Sequence, residues 1–159
     1  MLEIAFAKPT LPKSGALALL IGEGEIASGI WQQADEATGG AIARALRSAE
    51  FKGAKGKTCT ILAPGAGLSR VVAVGLGKPA ELNTHMLNEA GGHAAAALRQ
   101  EANAVVATGT LRSAQAAEVA LGAALRAYRF DKYRTQEKPE DKPRLTKLTL
   151  LVAETAEAK

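Results

Sequence analysis

Hydrophobic positions change their period along the chain, and each change marks a new element. Leu2, Ile4 and Phe6 alternate with Glu3, Ala5 and Ala7, the two-residue repeat of a half-buried strand, and Gly15 to Ile21 reads as a strand buried on both faces. These two open the chain as a hairpin-like pair. From Glu25 to about Ser48 the spacing turns helical. Ile26 and Ile30 are followed, past Gly39 and Gly40, by Ile42, Ala45, Leu46 and Ala49 at i, i+3, i+4, i+7. The double glycine breaks or kinks this stretch.

Two β-type runs follow, Thr58 to Ala63 and Ser69 to Val74. Pro64, Gly65, Ala66 and Gly67 lie between them and supply turn geometry, so a hairpin is predicted. Asn83 can cap a helix reaching about Gln100, with Met86, Ala90, Ala94, Ala97 and Leu98 as its apolar line, and Asn103 to Ala107 returns to strand. Ser113 can cap the next helix, which ends near Phe130 and places Ala117, Ala120, Leu121, Ala124 and Tyr128 on one face. Residues 132–144 are polar and hold Pro139 and Pro143, the composition of an exposed connection, before a last strand from Leu145 to Val152. Strands alternating with helices imply an α/β fold, a three-layer sandwich in which helices flank both faces of a mixed β-sheet. The whole of 1–159 reads as one domain.

Composition narrows the classes. The chain has 159 residues, 47% hydrophobic and 23% charged, the balance of a globular domain rather than a disordered one. Ala is the commonest of its apolar residues and aromatic residues are only 4%, so helices can approach closely. The run Ala16 to Ile21 is far shorter than the roughly 20 residues that span a bilayer, and the N-terminus has no basic region, so neither a membrane span nor a signal peptide is expected. Cys59 is the sole cysteine, which excludes an internal disulfide and fits the cytoplasm. The net charge of +4 is mild and scattered among acids.

Candidate chemistry fails on spacing. Gly22-x-Gly24-x-x-Ala27 follows a strand and precedes a helix, as a dinucleotide fingerprint must, but Glu23 and Glu25 oppose a pyrophosphate and no acid ends a second strand about 20 residues on. Gly75-Leu76-Gly77-Lys78 has Val72 where a phosphate loop needs glycine and Pro79 where it needs Ser or Thr, which leaves a glycine turn after a buried strand. His85, Glu89 and His93 share a helix face, yet the two histidines stand about 12 Å apart along the axis, too far for one zinc ion. Cys59 is mid-strand and reads as a small buried core residue, while Asp35 and Glu36 are adjacent and diverge. Trp31 and Tyr133 are too isolated for base stacking. No catalytic, cofactor-binding or metal-binding residue is assigned.

Three stretches occur in an order that resembles the N-terminal domain of the leucyl aminopeptidase (cytosol aminopeptidase) family. They are Ala34-Asp35-Glu36-Ala37-Thr38-Gly39-Gly40-Ala41 continuing to Glu50-Phe51-Lys52-Gly53-Ala54-Lys55-Gly56, then Arg70-Val71-Val72-Ala73-Val74-Gly75-Leu76-Gly77-Lys78, then Ala127-Tyr128-Arg129-Phe130-Asp131-Lys132-Tyr133-Arg134-Thr135. The resemblance covers nearly the whole chain and implies a macro-domain-like sheet between helices. It implies Gly39 and Gly40 for helix approach, Gly75 and Gly77 for a turn, and Tyr128 and Phe130 as anchors of the last helix. The family hydrolyses N-terminal residues from peptides with two divalent metal ions, manganese or zinc, held in a second, C-terminal catalytic domain. That domain's Asn-Thr-Asp-Ala-Glu-Gly-Arg motif is absent here, so the resemblance implies a non-catalytic accessory domain whose parent assembles as a homohexamer. Two other uses stand beside it. One is binding a nucleotide or ADP-ribose near Gly22 to Gly24 or Gly75 to Gly77; the other is binding DNA, as some bacterial members do, through Lys52, Lys55 and Lys57.

Overall fold

The computed structural model describes residues 3–8, 15–23, 29–65, 67–78, 81–99, 101–108, 111, 113–132, 145 and 147–151. At its centre lie β2 (Gly15–Gly22) and β4 (Leu68–Gly77), parallel and almost wholly buried. Their near-continuous apolar sequences suit strands covered on both faces. Among the described residues a six-stranded sheet runs around them in the order β1-β6-β5-β2-β4-β3, where β1 is Glu3–Ala7, β3 Thr58–Gly65, β5 Asn103–Ala107 and β6 Lys147–Leu151. All neighbours are parallel except β3, which pairs antiparallel with β4 as the predicted hairpin.

The opening strands do not form a pair. β1 lies at the far edge beside β6, with Ile4 opposite Leu148 and Phe6 opposite Leu150, and β6 and β5 separate it from β2. A strand with one apolar face belongs at an edge, and its Ile4 and Phe6 complete the cluster that Leu148 and Leu150 begin.

Side-chain alternation in the sheet feeds two cores. Ala16, Ala18, Leu20, Val72, Val74, Val106, Leu148 and Leu150 point to one face, covered by α3 (Thr84–Ala97) and α4 (Ser113–Lys132). Leu17, Leu19, Ile21, Val71 and Ala73 point to the other, covered by α1 (Gly29–Ala37) and α2 (Ala41–Ser48) through Ile30, Ala34, Ile42 and Leu46. The three-layer sandwich is therefore the one that the periodicity predicts.

Asn83 caps α3, its Oδ1 accepting from the Met86 amide at 2.9 Å, and of the expected apolar line Met86, Ala90, Ala94 and Leu98 are buried and Ala97 partly so. Ser113 is already helical in α4, not its cap. The buried face of α4 is also rotated from the expected one: Ala116, Val119, Ala120 and Ala123 are inside, whereas Leu121 is 50% exposed. Backbone contact with α3 sets this rotation. A Cβ at Gly91 would fall 1.9 Å from the Val119 carbonyl oxygen, and one at Gly122 would fall 1.9 Å from that of Asn88. At these two points the helices meet with no side chain between them, so the glycines rather than the largest side chains choose the face. The side chains of Tyr128 and Phe130 lie outside the described residues; of the expected connection 132–144, Lys132 belongs to α4 and the rest lies outside the described residues.

Gly39 and Gly40 break the α1–α2 stretch with φ of 68° and 82°; their role is backbone conformation, not helix approach. Gly40 has no side chain to cap α2, and Asp35 of α1 does so instead, Oδ1 accepting from the Ala43 amide at 2.8 Å. At the other end Phe51 N donates to Leu46 O and Glu50 N to Arg47 O, the pattern of a Schellman close with Glu50 at φ 56° where glycine is usual.

Gly91→Ala or Gly122→Ala should destabilise the domain by about 3 kcal/mol, since backbone cannot yield as a side chain can; a urea midpoint unchanged from the parent chain would contradict this. Glu50→Gly should instead stabilise it by about 0.5–1 kcal/mol by relieving the left-handed conformation, read as a higher urea midpoint.

Candidate functional site

Ligands of open α/β sheets usually sit beyond the carboxyl ends of the strands. Here the glycines at that end serve internal packing. Gly75 and Gly77 belong to β4 itself rather than to a turn after it, and residues 53–57 lie against them. Gly77 N donates to Gly53 O and Gly75 N to Lys57 O, both at 2.8 Å, while Glu23 N donates to Gly77 O at 2.9 Å. A Cβ on Gly75 would come within 2.0 Å of Ala54 O, and one on Gly53 within 2.7 Å of Gly22 O. The space over Gly75 is filled by the chain's own backbone. Gly24, Glu25 and Ala27 fall outside the described residues.

The same segment exposes Lys52, Lys55 and Lys57. Arg70, at the start of β4, is bound inward instead: its Nε lies 3.1 Å from Glu101 Oε2, and its Nη1 donates to Ala97 O at the last turn of α3, where a cation meets the negative end of the helix. Ser69 Oγ donates to the other Glu101 oxygen at 2.7 Å.

A groove of about 540 Å³ opens beside the α3–α4 contact. Gly56, His85, Asn88, Glu89, Gly92 and His93 line it on one side, and Gly122, Leu125 and Arg126 on the other. The histidine face singled out by sequence thus borders a real depression, but its members divide. His85 Nε2 and Glu89 Oε1 are 2.7 Å apart, and His93 is two turns further on. Among the described residues no group of three His, Cys, Asp or Glu could hold a metal ion. Asn88 is fixed by donating to Thr84 O at 2.7 Å and to Glu118 Oε2 at 3.1 Å.

Gly92, Asn88, Leu125 and Arg126 were not legible as a site in the sequence. The available signal was Gly91-Gly92 in mid-helix, where each glycine costs about 1 kcal/mol relative to Ala. Gly91 is required by the contact with α4. Gly92 is not: a Cβ there would have only Gly122 O at 3.8 Å and Arg126 Cβ at 3.9 Å near it, ordinary contacts.

Comparison with known proteins decides the relationship. Residues 18–137 match the family described as the cytosol aminopeptidase family, N-terminal domain. The chain belongs to that family. It is 40% identical to a probable cytosol aminopeptidase of Caulobacter vibrioides over 91% of this chain and 30% of that protein, and 39% identical to one of Rhizobium etli over 99% of this chain and 33% of that protein. The chain therefore spans about a third of the length of these relatives. In fold it is similar to a tomato leucine aminopeptidase mutant, with a TM-score of 0.78 and 22% identity over 99% of this chain and 35% of that one. It is also similar to a bottromycin maturation enzyme, BotP, in complex with Mn, at a TM-score of 0.63 and 17% identity over 92% of this chain and 28% of that one. No helix among the described residues is long and apolar enough to cross a membrane.

Cys59 lies in β3 and is partly exposed, packed against the α1–α2 core rather than fully inside it. Burial raises its thiol above the ordinary value. It should therefore alkylate with iodoacetamide more slowly than free cysteine at pH 8, because less thiolate is present; mass spectrometry of the time course checks this, and a faster reaction would contradict it.

Proposed function

We propose that this chain is the non-catalytic N-terminal accessory domain of a cytoplasmic metallo-aminopeptidase. The observation that carries the reading is the family match over 18–137 in a chain that spans about a third of the length of its relatives. The parent's hydrolysis, with two divalent ions polarising the peptide carbonyl and activating water, belongs to the catalytic domain in the other two thirds of its length. Residues 1–159 act as one folded unit that contributes to assembly of a homo-oligomer, a hexamer, or to substrate access.

A second reading, DNA binding by the same domain, is favoured by Lys52, Lys55 and Lys57, exposed within six residues of each other. Phosphate contacts by these three lysines would lower log K linearly with log salt. The third, a nucleotide or ADP-ribose held as in macro domains, is disfavoured at Gly75 to Gly77, where residues 53–57 already occupy the strand ends.

The purified chain with manganese should release no leucine from leucyl amide, whereas the full-length parent under the same conditions should. Turnover by the chain alone would overturn the accessory reading; an inactive full-length parent would overturn the aminopeptidase assignment.

A further inference from the structure

Helix α4 is apolar on two opposite faces, and the described domain covers one of them. Ala116, Val119, Ala120 and Ala123 are turned to the sheet. On the far side Ala114, Ala117, Leu121, Ala124 and Leu125 recur three and four residues apart, the spacing of a second apolar stripe. From 113 to 127 the charged residues are Glu118 and Arg126, and both lie on the side toward α3: Glu118 Oε2 accepts from Asn88 Nδ2, and Arg126 borders the groove. A helix face that meets water usually carries polar residues. Here Leu121 and Leu125, one turn apart, are 50% and 52% exposed.

The helical layer on the opposite side of the sheet follows the usual rule. α1 exposes Gln32, Gln33 and Glu36, and α2 exposes Arg44, Arg47 and Ser48. Among the described residues the one other large apolar side chain so exposed is Leu62, by itself on the edge strand β3. Single apolar residues scattered over a surface are ordinary, whereas a contiguous apolar patch marks a contact surface. The groove of about 540 Å³ continues the stripe: Leu125 forms its wall on α4, and Gly92 and His93 lie across it on α3. A leucine ridge beside a depression is relief with which an apolar protein surface can interlock.

We propose that the outer face of α4, with the groove beside it, is where the rest of the parent polypeptide docks: an apolar surface of the catalytic domain covers Leu121 and Leu125 and sends a side chain into the groove. The identity of that partner rests on the proposed function. Two observations select it over a second copy of the chain. The chain covers 30% and 33% of its Caulobacter and Rhizobium relatives, so those proteins carry a large further segment on the same polypeptide. A tethered partner is present at an effective concentration of about millimolar, at which a small contact suffices. A second copy must be gathered from solution, and two half-exposed leucines among alanines offer far less than the roughly 800 Å² per partner of a standard interface between separate molecules.

The test reads exposure rather than turnover. Leu121→Cys, Leu125→Cys and, as a control outside the stripe, Leu62→Cys are made in the 159-residue chain and in the full-length parent. Alkylation by iodoacetamide at each position is followed by peptide mass spectrometry, and an unchanged rate at Cys59 shows that the fold is intact. In the isolated chain the thiols introduced at 121 and 125 should react as exposed ones do, at rates independent of chain concentration. In the full-length parent they should react slower by roughly tenfold or more, while the thiol at 62 keeps its rate. Leu125→Asp, which needs no thiol, should leave the urea midpoint of the isolated chain unchanged and lower the midpoint of the same domain within the parent. Equal rates at 121 and 125 in chain and parent would overturn the surface, and so would slowing that grows with the concentration of the isolated chain, which would assign the stripe to a second copy. Leucyl amide turnover by the full-length parent separates the two readings. Protection in an inactive parent leaves the surface standing and removes the aminopeptidase assignment, whereas an active parent without protection removes the surface alone.

Discussion

The direct contact between the backbones of α3 and α4 is the constraint on which this domain depends. Carbonyl oxygens of Asn88 and Val119 occupy the places that side chains at Gly122 and Gly91 would take, so the helices can be neither rotated nor moved apart without losing that fit. The rotation of α4 about its axis follows, with Ala116, Val119, Ala120 and Ala123 turned inward and Leu121 and Leu125 turned outward. The sheet beneath then receives a tight cover of small side chains, consistent with a core rich in alanine and poor in aromatic residues. The groove beside the contact, and the composition of its rim, are consequences of the same geometry.

A second close approach organises the opposite end. Residues 53–57 cross β4 at Gly75 and Gly77 with paired backbone hydrogen bonds, which satisfies strand-end amides and places Lys55 and Lys57, beside Lys52, at the surface. Glycines that look like a ligand-binding turn thus admit the chain's own backbone. This bears on how the family resemblance is read. The stretches Gly53 to Gly56 and Gly75 to Gly77 that contribute to it are shaped by contacts within the chain.

The sheet, both helical layers and the β3–β4 hairpin were legible because each rests on local period and turn chemistry. The pairing of β1 was not, since nothing within five residues of alternating sequence says whether the partner is the next strand or one that is 144 residues away; Leu148 and Leu150 decide it in three dimensions. The face of α4 was misread for a related reason. Its largest side chain, Leu121, drew the expected apolar line, but the helix is positioned by where Gly122 can meet α3. The groove escaped notice because its lining comes from two helices that the sequence does not place side by side, and Asp35, dismissed as half of an acidic pair, caps a neighbouring helix that its own Gly40 cannot cap.

Native-state hydrogen exchange tests the central claim most directly. If the α3–α4 contact anchors the fold, the amides of residues 87–95 and 117–124 exchange as slowly as those of β2 and β4, through global unfolding alone, while those of α1 and α2 open earlier. Exchange from α3 and α4 at a lower free energy than from α1 and α2 would contradict it, and would show that the sheet stands without them.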